Sequence, residues 1–179
     1  MKDILNFYFA FATTVGFSQN SEALWAFDEL KKSSHSEYLV ISQYQNLPHT
    51  FSVRTKEGSM SSYKTFSEFD FFHSTDKIEL LGEIPTTVHE VNHGITNGMA
   101  FTECNKRGLE GFKNNYFYYT PAGNEILVRS DLKFFPTARI IPLIPEEKRS
   151  FRYDTYVDGN TSTQTDGLLG LLDEFNSYG

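Results

Sequence analysis

The 179-residue sequence predicts an α+β domain. Three observations lead there: an amphipathic helix in the middle of the chain, a second at its end, and short β-rich runs separated by turn residues. Hydrophobic residues make up 39% and charged residues 22%, enough apolar material for a packed core and too little charge for a disordered chain. The 17 Phe and 10 Tyr suit strands and large core side chains.

The first 18 residues read as an export signal. Lys2 gives a positive start, Ile4 to Val15 is an apolar run, and Gly16 and Ser18 are small residues before a cut at Gln19. The run is too short for stable membrane insertion. The expected mature domain is 19–179, secreted or held in the periplasm or cell envelope. Its net charge stays at −7, because Lys2 and Asp3 leave together. Such a surface repels phosphate backbones, so nucleic acid is excluded as a partner. The single cysteine, Cys104, allows neither an intrachain disulfide nor a thiolate zinc cluster.

Glu22 to Lys32 has helical spacing of Leu24, Phe27 and Leu30. Tyr38 to Ser42, Phe51 to Thr55 and Ile78 to Leu81 read as strands, with a turn over Lys56-Glu57-Gly58-Ser59. Pro85 suits the first position of a helix running to about Cys104, with Val88, Val91, Ile95 and Met99 as its apolar stripe. Tyr116 to Thr120 and Glu125 to Arg129 flank Pro121-Ala122-Gly123-Asn124, a hairpin signal. Ile140 to Ile144 and Phe151 to Val157 read as extended. Thr165 or Asp166 caps the last helix, whose stripe is Leu168, Leu171, Leu172 and Phe175. That pattern is barely two turns long at Gly179, so the reading favours a domain that continues beyond it.

The chemistry lies in His89-Glu90-Val91-Asn92-His93. Imidazoles four residues apart project from one helix face, one turn from each other, and can reach a single Zn²⁺. Glu90 sits on a neighbouring face, where a carboxylate can take a proton from a metal-activated water without being a ligand. The alternative role for Glu90 is a capping box begun by Thr87.

The segment Thr86 to Gly94 resembles the active-site helix of zincin metallopeptidases. The resemblance implies zinc as cofactor, His89 and His93 as ligands, Glu90 as general base and a peptide or protein as substrate. It also implies a twisted mixed sheet packed on the motif helix, with a second helix bearing a further ligand. The metzincin extension fails, because Thr96 and Met99 stand where glycine and histidine are required. A gluzincin-like arrangement takes a downstream glutamate, and Glu174 on the final helix ranks first, ahead of Asp173 and Glu110. Glu174 lies 81 residues after His93, farther than in thermolysin-like enzymes. Tyr178, one turn on, is the first candidate to stabilise an oxyanion, with Tyr153 and Tyr156 behind it. The competing readings are another zinc amidohydrolase and an exported, non-catalytic binding or adhesion domain carrying a chance motif.

Overall fold

The computed structural model describes residues 21–55, 58–109, 115–120, 122–129, 135–159 and 167–178. The expected export signal, Glu110, Thr165 and Asp166 lie outside them. Helix α1 covers 21–33 and buries Ala23, Ala26, Phe27 and Leu30 along one face. Helix α2 follows at His35–Asn46, where a strand is expected over Tyr38 to Ser42. Val40, Ile41 and Tyr44 are buried there at i, i+1 and i+4. The β-branched pair is therefore used as a helix face, and packing against a neighbouring helix overrides local propensity.

That neighbour is α3, Lys77–Lys106, a 30-residue helix to which α2 and both hairpins are applied. It starts eight residues before Pro85, and Ile78 to Leu81 forms its first turn rather than a strand. The start signal is Asp76, whose side chain accepts from the backbone N–H groups of Ile78 and Glu79 at 2.9 and 3.1 Å. Pro85 removes one helical hydrogen bond, the one to the Leu81 carbonyl. Both residues are exposed, so water can satisfy that carbonyl. No capping box forms at Thr87, whose hydroxyl donates back to the Glu83 carbonyl at 3.1 Å in mid-helix. Val88, Val91, Ile95 and Met99 are all buried.

Among the described residues the strands form two separate antiparallel pairs, not one mixed sheet. β1 (Thr50–Thr55) pairs with β2 (Gly58–Tyr63), and β3 (Asn115–Tyr119) with β4 (Glu125–Arg129). Helix α3 lies between them in sequence, and each hairpin packs on α3. Ile140 to Leu143 falls in a 3₁₀ turn, Thr137–Leu143, and only Ile144, its cap, is extended; Arg149 holds the turn by donating to the Ile141 and Ile144 carbonyls. Phe151 to Val157 is helical as well, running from Phe151–Tyr153 into a π-helical turn, Asp154–Gly159. Thr137 is buried and its hydroxyl donates to the Val157 carbonyl at 3.1 Å. Helix α4 is Leu168–Ser177, opened by Gly167 at φ 57°.

Two glycines on α3 give opposite expectations for one substitution. A Cβ at Gly94 meets the Tyr44 ring at 2.5 Å and Phe66 at 3.2 Å, whereas one at Gly82 meets nothing within 4 Å. Tyr44 cannot retreat freely: its ring stacks on Phe66 at 5.4 Å and its hydroxyl donates to the Phe66 carbonyl at 2.7 Å. Gly82→Ala gains helix propensity of up to about 1 kcal/mol. Gly94→Ala carries an overpacking cost of roughly 1–3 kcal/mol against the same gain. Thermal unfolding of the two variants should therefore shift upward for Gly82→Ala and downward for Gly94→Ala. Equal shifts contradict the close approach of α2 to α3.

Candidate metal centre

His89 and His93 stand one turn apart in the middle of α3, and their Nε2 atoms face each other at 3.1 Å. Glu174 of α4 comes between them, with one carboxylate oxygen 3.7 Å from His89 Nε2 and 3.5 Å from His93 Nε2. The triangle defined by these distances has its centre about 2.0 Å from every corner. Zinc bonds nitrogen and carboxylate oxygen at about 2.0–2.2 Å, so one ion can reach all three donors with a small displacement from their plane. The residues present therefore fit a divalent ion.

Asp173, the alternative ligand, has a different place. Its Oδ2 accepts from His93 Nδ1 at 2.7 Å, on the far side of the ring from Glu174. That bond holds a proton on Nδ1, so that once the ring is neutral its Nε2 lone pair faces Glu174, as in a metal-binding histidine whose other nitrogen is hydrogen-bonded to a carboxylate. Ser177 Oγ lies 3.3 Å from the same Nδ1. Glu103, on the same helix, is occupied by Lys106 and Arg107.

Both carboxylates are on the inward face of α4, and this reverses the reading of its sequence. Leu168, Leu172 and Phe175, expected to be buried, are 59%, 41% and 75% exposed. Leu169, Gly170 and Ser177 are buried instead, and Glu174 is only 13% exposed. Side-chain amides and a phenol hold the helix in this rotation. Asn176 Nδ2 donates to the Tyr119 carbonyl at 2.9 Å, Asn92 Nδ2 to the Asn176 carbonyl at 3.2 Å, and Tyr118 Oη to the Leu169 carbonyl at 3.1 Å. The second variable position of the motif, Asn92, is thus a structural pin that sequence reading passed over. Its signal was an amide on the buried stripe of α3.

Tyr178 packs its ring on His89, centroids 4.3 Å apart, and its hydroxyl lies 2.5 Å from that of Tyr156. Tyr156 is delivered by the π-helical turn, a distortion often kept at functional sites. Arg152 lies over the outer side of the site, 3.9 Å from the Tyr178 ring centre. Tyr153 is buried beneath Arg149 and does not join the pair. Two cavities flank the tyrosines. One, of about 520 Å³, is lined by His89 and Glu90; the other, of about 360 Å³, by Glu174 and Arg152. Tyr156 and Tyr178 line both.

Electrostatics separate the two histidines. Burial lowers the proton affinity of His93, but the hydrogen bonds it donates to Asp173 and Glu174 and their negative charges outweigh it and push the pKa up to about 10. For His89, burial and the neighbouring charge of His93 win, and its pKa falls. A raised folded-state pKa stabilises the fold fully below the ordinary histidine value of about 6.5, and that contribution is lost as pH climbs through about 10. An arriving metal ion must therefore displace the His93 proton at neutral pH. Calorimetric titration with zinc in buffers of different ionisation enthalpy should report close to one proton released per ion near pH 7.5. Zero release contradicts this account of His93.

Compared with protein families, with curated proteins and with solved structures, the chain matches none.

Proposed function

We infer that the chain is a zinc-dependent metallopeptidase of gluzincin-like construction, a hydrolase acting on peptide or protein substrates. The carrying observation is the donor triangle of His89, His93 and Glu174, whose members lie within 4.8 Å of one another. The inverted face of α4 supports it. An amphipathic helix that turns its carboxylates inward and leaves Leu168, Leu172 and Phe175 exposed breaks its own pattern, and such breaks concentrate at functional sites.

In this reading His89, His93 and Glu174 hold the ion and Asp173 orients His93. A zinc ion held there supplies a Lewis acid that acidifies water near neutral pH and polarises a carbonyl. Glu90 lines the cavity beside His89, close enough for its charge to act on that imidazole, and serves as the base that accepts a proton from water. Tyr178, with Tyr156, offers a hydroxyl to the oxygen on which charge develops. The shared wall of the two cavities gives an extended peptide room on either side of the tyrosines. Secretion belongs to the same proposal and rests on residues 1–18. Among the described residues no helix is long and apolar enough to cross a membrane.

The test is metal content together with hydrolysis. Purified protein should carry one zinc per chain, lose peptidase activity to a chelator and regain it with zinc. Protein without stoichiometric zinc, and inert toward peptides when zinc is supplied, belongs to the binding-domain alternative.

A further inference from the structure

We propose that the 520 Å³ cavity beside Glu90 binds a positively charged group of the substrate, an ammonium or guanidinium, and that Glu37 selects it. The proposal rests on the peptidase reading and names the substrate class for that same site.

The cavity lies between residues of α1 and α2 on one side and of α3 on the other. Its charged lining consists of Glu37 and Glu90, with no lysine or arginine among the described residues. Glu37 accepts one bond, from Ser36 Oγ at 3.1 Å, which leaves carboxylate lone pairs to spare. Asn92 is an independent indication. It is 1% exposed, it lines the same cavity, and its Nδ2 is already used on the Asn176 carbonyl. Its Oδ1 has no hydrogen-bond partner among the described residues. A buried acceptor without a donor is costly, and a donor-bearing ligand removes that cost. Glu37 and Asn92 offer acceptors to a donor-bearing cation, and the charge of Glu90 on the same wall adds to the attraction. Leu30, Ile84 and Val88 line the remainder and suit the methylene stem of a long cationic side chain. The cavity on the other side of the tyrosines is lined by Lys148 and Arg152 against the single carboxylate of Glu174, so its charge is of the opposite sign. A cationic group is therefore favoured on the Glu90 side and disfavoured on the other.

The ammonium can come from the substrate's amino terminus or from a lysine side chain, and three small probes distinguish them. Norleucinamide carries only the first, N-acetyl-lysinamide only the second, and N-acetyl-norleucinamide neither. Binding is measured on the full-length protein by calorimetry, so it is independent of hydrolysis. At least one charged probe should bind tenfold or more tighter than the neutral one, and Glu37→Gln should remove most of that preference. In parallel, the ratio of kcat/KM for peptides with lysine against norleucine, or with free against acetylated amino termini, should fall in Glu37→Gln. Equal binding of all three probes, or a preference that survives Glu37→Gln, overturns the proposal. Should that variant fail to fold, wild-type protein decides: the preference must shrink as salt rises from about 0.05 to about 0.5 M. A salt-independent preference counts against Glu37. Failure of the peptidase reading looks different: no zinc and no hydrolysis, with the probes still discriminated.

Discussion

Glu90→Gln should lower peptide hydrolysis by about 10²- to 10⁴-fold, the range that a positioned general base contributes, while zinc content stays at that of the wild type. The separation of the two readouts follows from the geometry. The donors proposed for the ion are His89, His93 and Glu174, and Glu90 is not in that group. It lies one residue along α3 from His89, on the wall of the 520 Å³ cavity, which on the proposed reading faces it toward water and substrate rather than the ion. Glutamine keeps the shape and removes the basic oxygen, so folding and metal retention survive the loss of proton transfer. Inductively coupled plasma analysis and a peptide-cleavage assay on one preparation check both halves. Activity equal to wild type refutes the role given to Glu90, and lost zinc refutes its exclusion from the coordination sphere.

Glu174→Ala should weaken zinc binding by more than about 100-fold, beyond what removing an outer-shell partner costs. The comparison is built into the helix. Asp173 is the neighbouring carboxylate, also partly buried, yet it touches His93 at Nδ1 and not at Nε2. Asp173→Asn should accordingly cost only about 10- to 100-fold, because it loosens the orientation of one ligand and leaves the donor set intact. Competition with a chromophoric chelator ranks the two. A larger loss for Asp173→Asn than for Glu174→Ala would exchange their roles.

The sequence made one part of the site fully legible and another only by rank. His89 and His93 are joined by local geometry: four residues on a helix place two rings one turn apart whatever the rest of the fold does. Glu174 is 81 residues away from His93, so its arrival depends on how α4 docks, and no local rule contains that. The apolar pattern of α4 even points the wrong way, since its leucine stripe faces out. Three contacts made by Asn92, Asn176 and Tyr118 set the rotation, and amides and phenols carry no periodic signal. The hairpin at 115–129 was readable from its turn residues, and the stripe of α3 from its spacing. Tyr38 to Ser42 misled because β-branched and aromatic residues satisfy a helix face and a strand equally well over five positions. The start of α3 was missed because Pro85 is a stronger visible signal than the Ser74 and Asp76 cap that in fact opens it.

The docking of α4 has a mechanical consequence. A helix of ten residues is marginal by itself, and this one shows solvent the side chains that would ordinarily anchor it. Coordination through Glu174 would add a second tie to α3 beside the one that Asn92 makes to the Asn176 carbonyl. Occupancy at a thousand times the dissociation constant adds roughly 4 kcal/mol to the assembled state. On the proposed reading the ion would act as a rivet between α3 and α4, and in metal-stripped protein α4 is expected to open before the core, which amide exchange with and without zinc checks.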